Sequence, residues 1–228
     1  MDDARAAQVS AVAALAEPTR RRLYDHVVGQ DGPVSRDEAA AATAVPRATV
    51  AFHLDKLVDE GLLDVVYERR TGRTGPGAGR PSKLYRRAAC DVTVSLPERR
   101  YDLAGGLLAA AVDEAQATGE APREALARLA FDRGQELGRA ARGEGAGRDV
   151  VLRVLEQQGF EPRADDDAVT LTNCPFHVLA REHTDLVCGM NLRLLDGLLE
   201  GAGAEELTAR LQPTPGRCCV RLELGRPA

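Results

Sequence analysis

The side chains best suited to chemistry are four of the five cysteines, which lie in the last quarter of the chain. They occur in three motifs: Asn-Cys-Pro-Phe-His, a Cys-Gly-Met-Asn segment, and a tandem cysteine pair. Soft thiolates gathered from separate elements can hold a metal ion or an iron–sulfur cluster. The candidate ligands are Cys174, Cys188 and Cys218, with Cys219 as the alternative to Cys218 and His177 as a candidate fourth ligand.

The same residues allow other interpretations. Free cysteines are often buried, so these could simply pack in the core, and we expect the isolated Cys90 to do so. A Cys/His pair could be a nucleophile and its base, but no acidic partner or oxyanion motif accompanies it, so the sequence does not predict an enzyme. The position of Cys174 before a helix N-terminus predicts a lowered thiol pKa.

Composition limits the class of protein. The chain has 44% hydrophobic and 29% charged residues, as soluble globular proteins do. No apolar run approaches the roughly 18 residues of a membrane span, and charges throughout residues 1–25 argue against a secretory signal. These features predict a cytoplasmic protein with reduced cysteines. The net charge is -5, but residues 1–90 are slightly basic. The acidic overall charge therefore does not exclude a local DNA-binding surface.

The N-terminal elements predict such a surface. A first helix has Val9, Val12, Leu15 and Ala16 on one face, and a second begins near Pro18. Ser35 and Glu38 form a capping-box pattern at the start of a short third helix. A tight connection then leads to a fourth helix over 46–60, whose apolar face leaves small and polar residues outward: Arg47, Ala48, Ala51, Phe52 and Asp55. Two short helices in this order are typical of a helix-turn-helix with a recognition helix.

A basic hairpin follows the recognition helix. Residues 62–68 and 83–87 are predicted to be strands, and the glycine-rich segment between them cannot form a core. Its basic side chains suit phosphate contact and reach into a minor groove. We therefore predict a DNA-binding wing that carries Arg69, Arg70, Arg73, Arg80 and Lys83.

Residues 8–88 resemble the ArsR-type winged-helix repressors. The resemblance lies in the segments Ala-Leu-Ala-Glu-Pro-Thr-Arg-Arg-Arg-Leu at 14–23 and Val-Ala-Phe-His-Leu-Asp-Lys-Leu at 50–57. It implies base contact by the N-terminal half of the recognition helix, which here carries Arg47, Ala48, Ala51 and Phe52. Phe52 departs from the polar residue common at its position, and His53 is expected to pack rather than to bind a ligand.

The C-terminal half predicts an α+β domain. Helices over 98–118 and 122–142 could form a dimer contact or only cover a core, and a further helix spans 147–158. Short strands after 162, over 169–173, 207–211 and 218–224 would form a small antiparallel sheet, with a mostly helical segment from 175 to about 200. Alternation along the last strand places Cys218 on the buried face with Val220.

The order of the cysteine motifs resembles the SufR-type iron–sulfur-sensing repressors over nearly the whole chain. That resemblance implies a [4Fe–4S] cluster held by Cys174, Cys188 and one of Cys218 or Cys219, although the cysteine intervals differ slightly and Asn191 replaces a common acidic residue. The predicted fold class is α+β, with a winged helix-turn-helix DNA-binding domain at 1–90, a helical linker and dimerisation region at 91–145, and a sensor domain at 146–228.

The predicted function is that of a homodimeric, DNA-binding transcriptional repressor. Its partner would be double-stranded DNA with a palindromic operator, and its cofactor an iron–sulfur cluster or a metal. The alternative is a winged-helix regulator without redox sensing, whose C-terminal domain is stabilised by zinc or binds a small metabolite.

Overall fold

The computed structural model describes residues 3–69, 81–145 and 147–225. The chain divides into two compact units, Met1–Val94 and Ser95–Ala228. Each unit has its own cluster of buried apolar side chains.

The described residues of the first unit form four helices and a small sheet. The helices are α1 (Asp3–Ala14), α2 (Pro18–Val28), α3 (Arg36–Thr43) and α4 (Arg47–Asp59). The strands are β1 (Val34–Ser35), β2 (Leu63–Glu68) and β3 (Ser82–Arg87), paired antiparallel in the order β1-β3-β2. The predicted helix-turn-helix is therefore α3 and α4, and β2 with β3 forms the predicted hairpin.

Local sequence explains where these helices begin. The Glu17 side chain accepts hydrogen bonds from the backbone N–H groups of Thr19 and Arg20, and Pro18 occupies the first position of α2. The predicted capping box of Ser35 and Glu38 is present at the start of α3. Both devices satisfy backbone N–H groups that have no partner within the helix.

The predicted apolar face of the first helix is wrong in part: Leu15 packs against the core of the unit, but the two valines do not. Val9 and Val12 are 40% and 48% exposed, whereas Ala11 and Ala14 are buried. Alanine lets the backbone of α1 lie close to the core, so the face with the smaller side chains is turned inward.

In the part of the second unit that the structure describes, five helices pack with a four-stranded sheet. The helices are α5 (Tyr101–Thr118), α6 (Pro122–Ala141), α7 (Arg148–Gln157), α8 (His177–Glu182) and α9 (Thr184–Ala202), and a short 3₁₀ turn, Arg142–Glu144, follows α6. The strands are β4 (Pro162–Ala164), β5 (Ala168–Leu171), β6 (Leu207–Leu211) and β7 (Val220–Leu224). All pairs are antiparallel, in the order β4-β5-β7-β6. The predicted α+β class is confirmed.

Glycines allow α6 and α9 to approach closely. A Cβ on Gly134 or Gly138 of α6 would overlap the backbone of α9, and a Cβ on Gly197 or Gly201 of α9 would overlap the backbone of α6. Each helix thus carries two glycines four residues apart on its contact face. This contact fixes the position of α9, the helix that carries Cys188.

Three predicted boundaries near the cysteines differ from the structure. The segment predicted as mostly helical from 175 is two helices, α8 and α9, separated at His183. The strand predicted over 169–173 ends at Leu171, and β7 begins at Val220 rather than at Cys218. Cys174, Cys218 and Cys219 therefore lie in connections rather than in regular elements. Within the described ranges, no helix is both long and apolar enough to cross a membrane.

Candidate functional site

The outer face of α4 is the first candidate surface. Arg47, Ala48 and Phe52 are exposed and Ala51 is half-buried, while Val50, Leu54 and Leu57 are buried in the core of the unit. Phe52 is 65% exposed, which is unusual for so large an apolar ring. Arg47 forms an ion pair with Asp37 across 2.7 Å, and both side chains are largely exposed.

A polar network around Asp55 holds α4 against the rest of the first unit. The Asp55 carboxylate accepts hydrogen bonds from Lys83 Nζ and from the Tyr85 hydroxyl, each at 2.6 Å, and Arg36 Nη2 lies 3.2 Å from its second oxygen. Arg36 Nε also donates to the Tyr85 hydroxyl across 2.8 Å. The network therefore ties the recognition helix to the first turn of α3 and to strand β3.

The same network sets the charge of Asp55. Partial burial acts to raise the pKa of Asp55, but hydrogen bonds from Lys83 and Tyr85 outweigh it and leave the pKa below its ordinary value. Lys83, predicted to contact DNA, already has an acidic partner within the unit. The sequence placed Asp55 on the polar face of α4 and gave no sign of these contacts.

The remaining predicted DNA-binding residues belong to the wing. Arg69 is exposed at the end of β2. Arg70, Arg73 and Arg80 lie outside the described residues. His53, expected to pack, is buried, and its Nδ1 lies 3.6 Å from Glu17 Oε2.

The second candidate site is a cavity in the second unit. It has a volume of about 520 Å³, and three of its lining residues are Cys174, Cys188 and Cys219. His177, the exposed first residue of α8, also lines it. Cys218 does not: it is buried, as the alternation pattern predicted, and its backbone N–H donates to Leu171 O across 3.0 Å.

The four thiols interact in a chain. The Cys174 thiol interacts with Cys218, Cys218 with its neighbour Cys219, and Cys219 with Cys188. Among the residues that the structure describes, no group of three or more His, Cys, Asp or Glu side chains is placed to hold a metal ion. The sequence motifs thus come together as neighbouring thiols.

The predicted lowering of the Cys174 pKa is wrong. Its hydrogen bond with Cys218, and then its burial, raise the pKa of the Cys174 thiol well above its ordinary value. The segment before α8 does not expose Cys174 to solvent, so burial outweighs any effect of the short helix. Burial likewise raises the pKa of Cys188. For Cys218, the bond with Cys174 lowers the pKa, but the bond with Cys219 and burial outweigh it and bring the pKa to about 12.

Two buried asparagines position the cysteine segments. Asn173 donates to Gly159 O across 2.5 Å and to Glu98 O across 3.1 Å. Its side-chain oxygen accepts from Arg99 Nη1, which also donates to Cys174 O across 3.1 Å. These bonds fix the turn that carries Cys174. Sequence reasoning missed Arg99, which lies far from Cys174 along the chain.

Asn191 approaches the tandem pair from α9. Its Nδ2 donates to the Cys218 sulfur across 3.2 Å, while its Oδ1 is buried without a hydrogen-bond partner in the described structure. Cys90, expected to pack, is instead exposed, and its sulfur lies 3.0 Å from Gly61 O in the first unit. The short connection after β3 keeps it at the surface and remote in sequence from the other cysteines.

Comparison with known proteins bears on the first unit. Residues 15–66 match the family model described as a helix-turn-helix domain. The matched segment contains α2, α3, α4 and the beginning of β2. Neither a curated protein nor a solved structure matches the chain.

The matched segment and the fold agree on a class of protein. A helix-turn-helix followed by a strand pair is the architecture with which many regulators contact the major groove. The similarity therefore supports a DNA-binding transcription regulator.

Proposed function

We propose that the chain is a cytoplasmic transcriptional repressor that binds a palindromic operator as a homodimer, with its DNA affinity controlled by a cofactor at the cysteines. The observation that carries the proposal is the presence, in one chain, of a helix-turn-helix and of a cavity lined by three cysteines. A two-fold operator requires a two-fold protein, which is the reason for proposing a dimer.

The proposed DNA contacts are those of α4 and of the wing. The exposed side chains of Arg47, Ala48 and Phe52 would face base edges, with Ala51 behind them. The apolar ring of Phe52 suits the methyl group of a thymine better than a polar base edge. Arg69, together with the wing arginines of the sequence, would contact phosphates.

The proposed cofactor is a [4Fe–4S] cluster, as in the SufR-type repressors that the sequence resembles. The donor set supports it, because four thiols neighbour one another in a chain of contacts and cysteine thiolates are the usual ligands of such clusters. The ligands would be Cys174, Cys188 and either Cys219, which lines the cavity, or Cys218, which lies behind Cys174. When bound, the cluster would supply a redox-sensitive centre. Since the pKa values of the Cys174, Cys188 and Cys218 thiols are raised, ligation by any of them would release protons and rearrange the thiol contacts.

Control of DNA binding would follow from this rearrangement. The cysteine segments adjoin β5, α8, α9 and β7, so ligand binding would favour one arrangement of these elements over another. A cofactor can shift the DNA-binding equilibrium only by its differential affinity for the two arrangements.

The test is anaerobic reconstitution of the full chain with iron and sulfide. We expect visible absorption from thiolate-to-iron charge transfer, bound iron and sulfide in equal amounts, and a change in operator affinity at fixed salt. Cys188→Ser should abolish cofactor retention without unfolding the protein, and Cys90→Ser, at the exposed cysteine of the first unit, should retain the cofactor. Equal retention by both variants would contradict the ligand assignment.

The second candidate is a zinc-stabilised or metabolite-binding regulator without redox sensing. The specific observation in its favour is the proximity of four thiols, since four cysteines are a common donor set for structural zinc. A colourless protein that retains one zinc after purification, with Cys188→Ser losing it, would support this candidate over the cluster.

A further inference from the structure

The proximity of the thiols has a chemical consequence that needs no metal. Cys188 and Cys219 both line the cavity, and their thiols interact with each other. Cys174 also lines the cavity, but its neighbour Cys218 does not. Cys188 and Cys219 are therefore neighbouring thiols that both border the cavity, and Cys219 is the less buried of the two.

The lining of the cavity is positively charged. Arg181 and Arg217 both contribute to it, and neither guanidinium forms an ion pair with another described residue. Thr184 and Thr214 add hydroxyl groups, and no carboxylate is among the described lining residues. Asp185 acts electrostatically on Cys188 but is not part of the lining. A ligand with two carboxylates could pair one with each arginine.

We propose that this cavity is a thiol–disulfide exchange site for an anionic, low-molecular-weight disulfide. The arginines would bind its carboxylates, and the Cys188–Cys219 pair would reduce it. A volume of about 520 Å³ lies within the range of small-molecule sites and can admit one half of such a disulfide, leaving the other half in solvent.

The reaction proceeds in two exchange steps. Cys219 loses its proton and attacks one sulfur of the bound disulfide, which breaks the ligand's S–S bond, forms a mixed disulfide and releases the first thiol with that proton. Cys188 then attacks the Cys219 sulfur, releasing the second thiol with the second proton. The protein loses two electrons and two protons and gains a Cys188–Cys219 disulfide, and the ligand becomes two thiols.

This exchange is independent of the proposed cofactor, because the chemistry uses only the protein's thiols and the disulfide. It would compete with cofactor binding, since two oxidised sulfurs cannot serve as thiolate ligands. The oxidation state of Cys188 and Cys219 would then follow the ratio of low-molecular-weight disulfide to thiol around the protein.

The test uses the full-length chain with Cys90→Ser, so that the exposed cysteine of the first unit cannot react. The reduced protein, freed of metal by a chelator, is mixed anaerobically with glutathione disulfide. We expect two glutathione molecules released per chain and a Cys188–Cys219 disulfide on peptide mapping. Adding Cys188→Ser should stop the reaction at glutathione bound to Cys219. A Cys174–Cys218 disulfide, or no modification at Cys219, would overturn the proposal.

The charge requirement is tested with a cationic disulfide of the same chemistry, cystamine. At low ionic strength, we expect glutathione disulfide to react roughly tenfold faster than cystamine, the lower end of what focused charge achieves. Arg181→Gln with Arg217→Gln should remove this preference, and Arg163→Gln, at an exposed arginine on β4, should keep it. If glutathione disulfide and cystamine reacted at equal rates with the protein that has both arginines, the site would not be selective for anions. A failure to reconstitute a cluster would leave all of these results unchanged.

Discussion

The Asn191 side-chain amide donates a hydrogen bond to the Cys218 sulfur across 3.2 Å, and so joins α9 to the segment before β7. Both side chains are buried. Sulfur is a weak acceptor, and the Asn191 Oδ1 has no hydrogen-bond partner within the described ranges. The amide therefore orders the tandem cysteines at a cost in stability.

This arrangement predicts an unusual response to Asn191→Leu. A buried polar atom without a partner costs about 1–3 kcal/mol, and a leucine, which has the same branching and number of side-chain atoms, would remove it. We expect the free energy of unfolding, measured with urea, to fall by less than about 1 kcal/mol or to rise. Loss of several kcal/mol would show that the oxygen has a partner and that the amide stabilises the fold.

The pKa of Asp55 predicts how the stability of the first unit depends on pH. Because the folded-state pKa is lowered, the contribution of Asp55 is complete above the unfolded value of about 3.9 and is lost as the pH falls through the folded value. The side chain is 43% exposed, so solvent screening limits the effect to about 1 kcal/mol or less. In Asp55→Asn, the free energy of unfolding, measured at several pH values between 6 and 3, should lack this pH-dependent contribution. Asp59→Asn, at a carboxylate on the same helix without an ion pair among the described residues, should behave as the unmodified chain does.

The first unit shows how far sequence reasoning reaches. The capping box at Ser35 and the apolar spacing of Leu54 and Leu57 depend only on local geometry, so the helix-turn-helix was predictable. The anchoring of Asp55 was not, because its partners Arg36 and Lys83 lie 19 and 28 residues away and join it only in the folded unit. A carboxylate on a polar helix face has the same sequence pattern whether it faces water or an ion-pair network.

The cysteine site was predictable in part for a similar reason. Motif order indicated that segments carrying Cys174, Cys188 and the tandem pair come together, and they do. Which sulfur contacts which depends on where β5 and β7 end, and those boundaries were misplaced by two residues each. The burial that raises the Cys174 pKa is likewise a tertiary effect, which no local rule about helix ends could provide.

Glycine substitutions in α9 test the contact between α6 and α9. In Gly197→Ala, the added methyl group would overlap the Phe131 carbonyl, so the helices must separate, and we expect a loss of about 3 kcal/mol or more in unfolding free energy. Gly189→Ala is the matched control in the same helix, because nothing lies within 4 Å of its Cβ position. It should gain about 0.5–1 kcal/mol from helix propensity. If both variants were stabilised, the close contact would be absent in solution.

The wing is tested through the salt dependence of DNA binding. Arg69→Ala, Arg70→Ala and Arg73→Ala together should weaken binding to any DNA sequence, because contacts with phosphates carry no base information. Each lost contact should also reduce the slope of log affinity against log salt by about 0.9. Three exposed arginines of the second unit, Arg123, Arg139 and Arg163, provide a control with the same change in net charge. An equal drop in slope for both triple variants would mean that net charge alone attracts the protein to DNA. A drop confined to the variant of Arg69, Arg70 and Arg73 would locate the phosphate contacts in the wing.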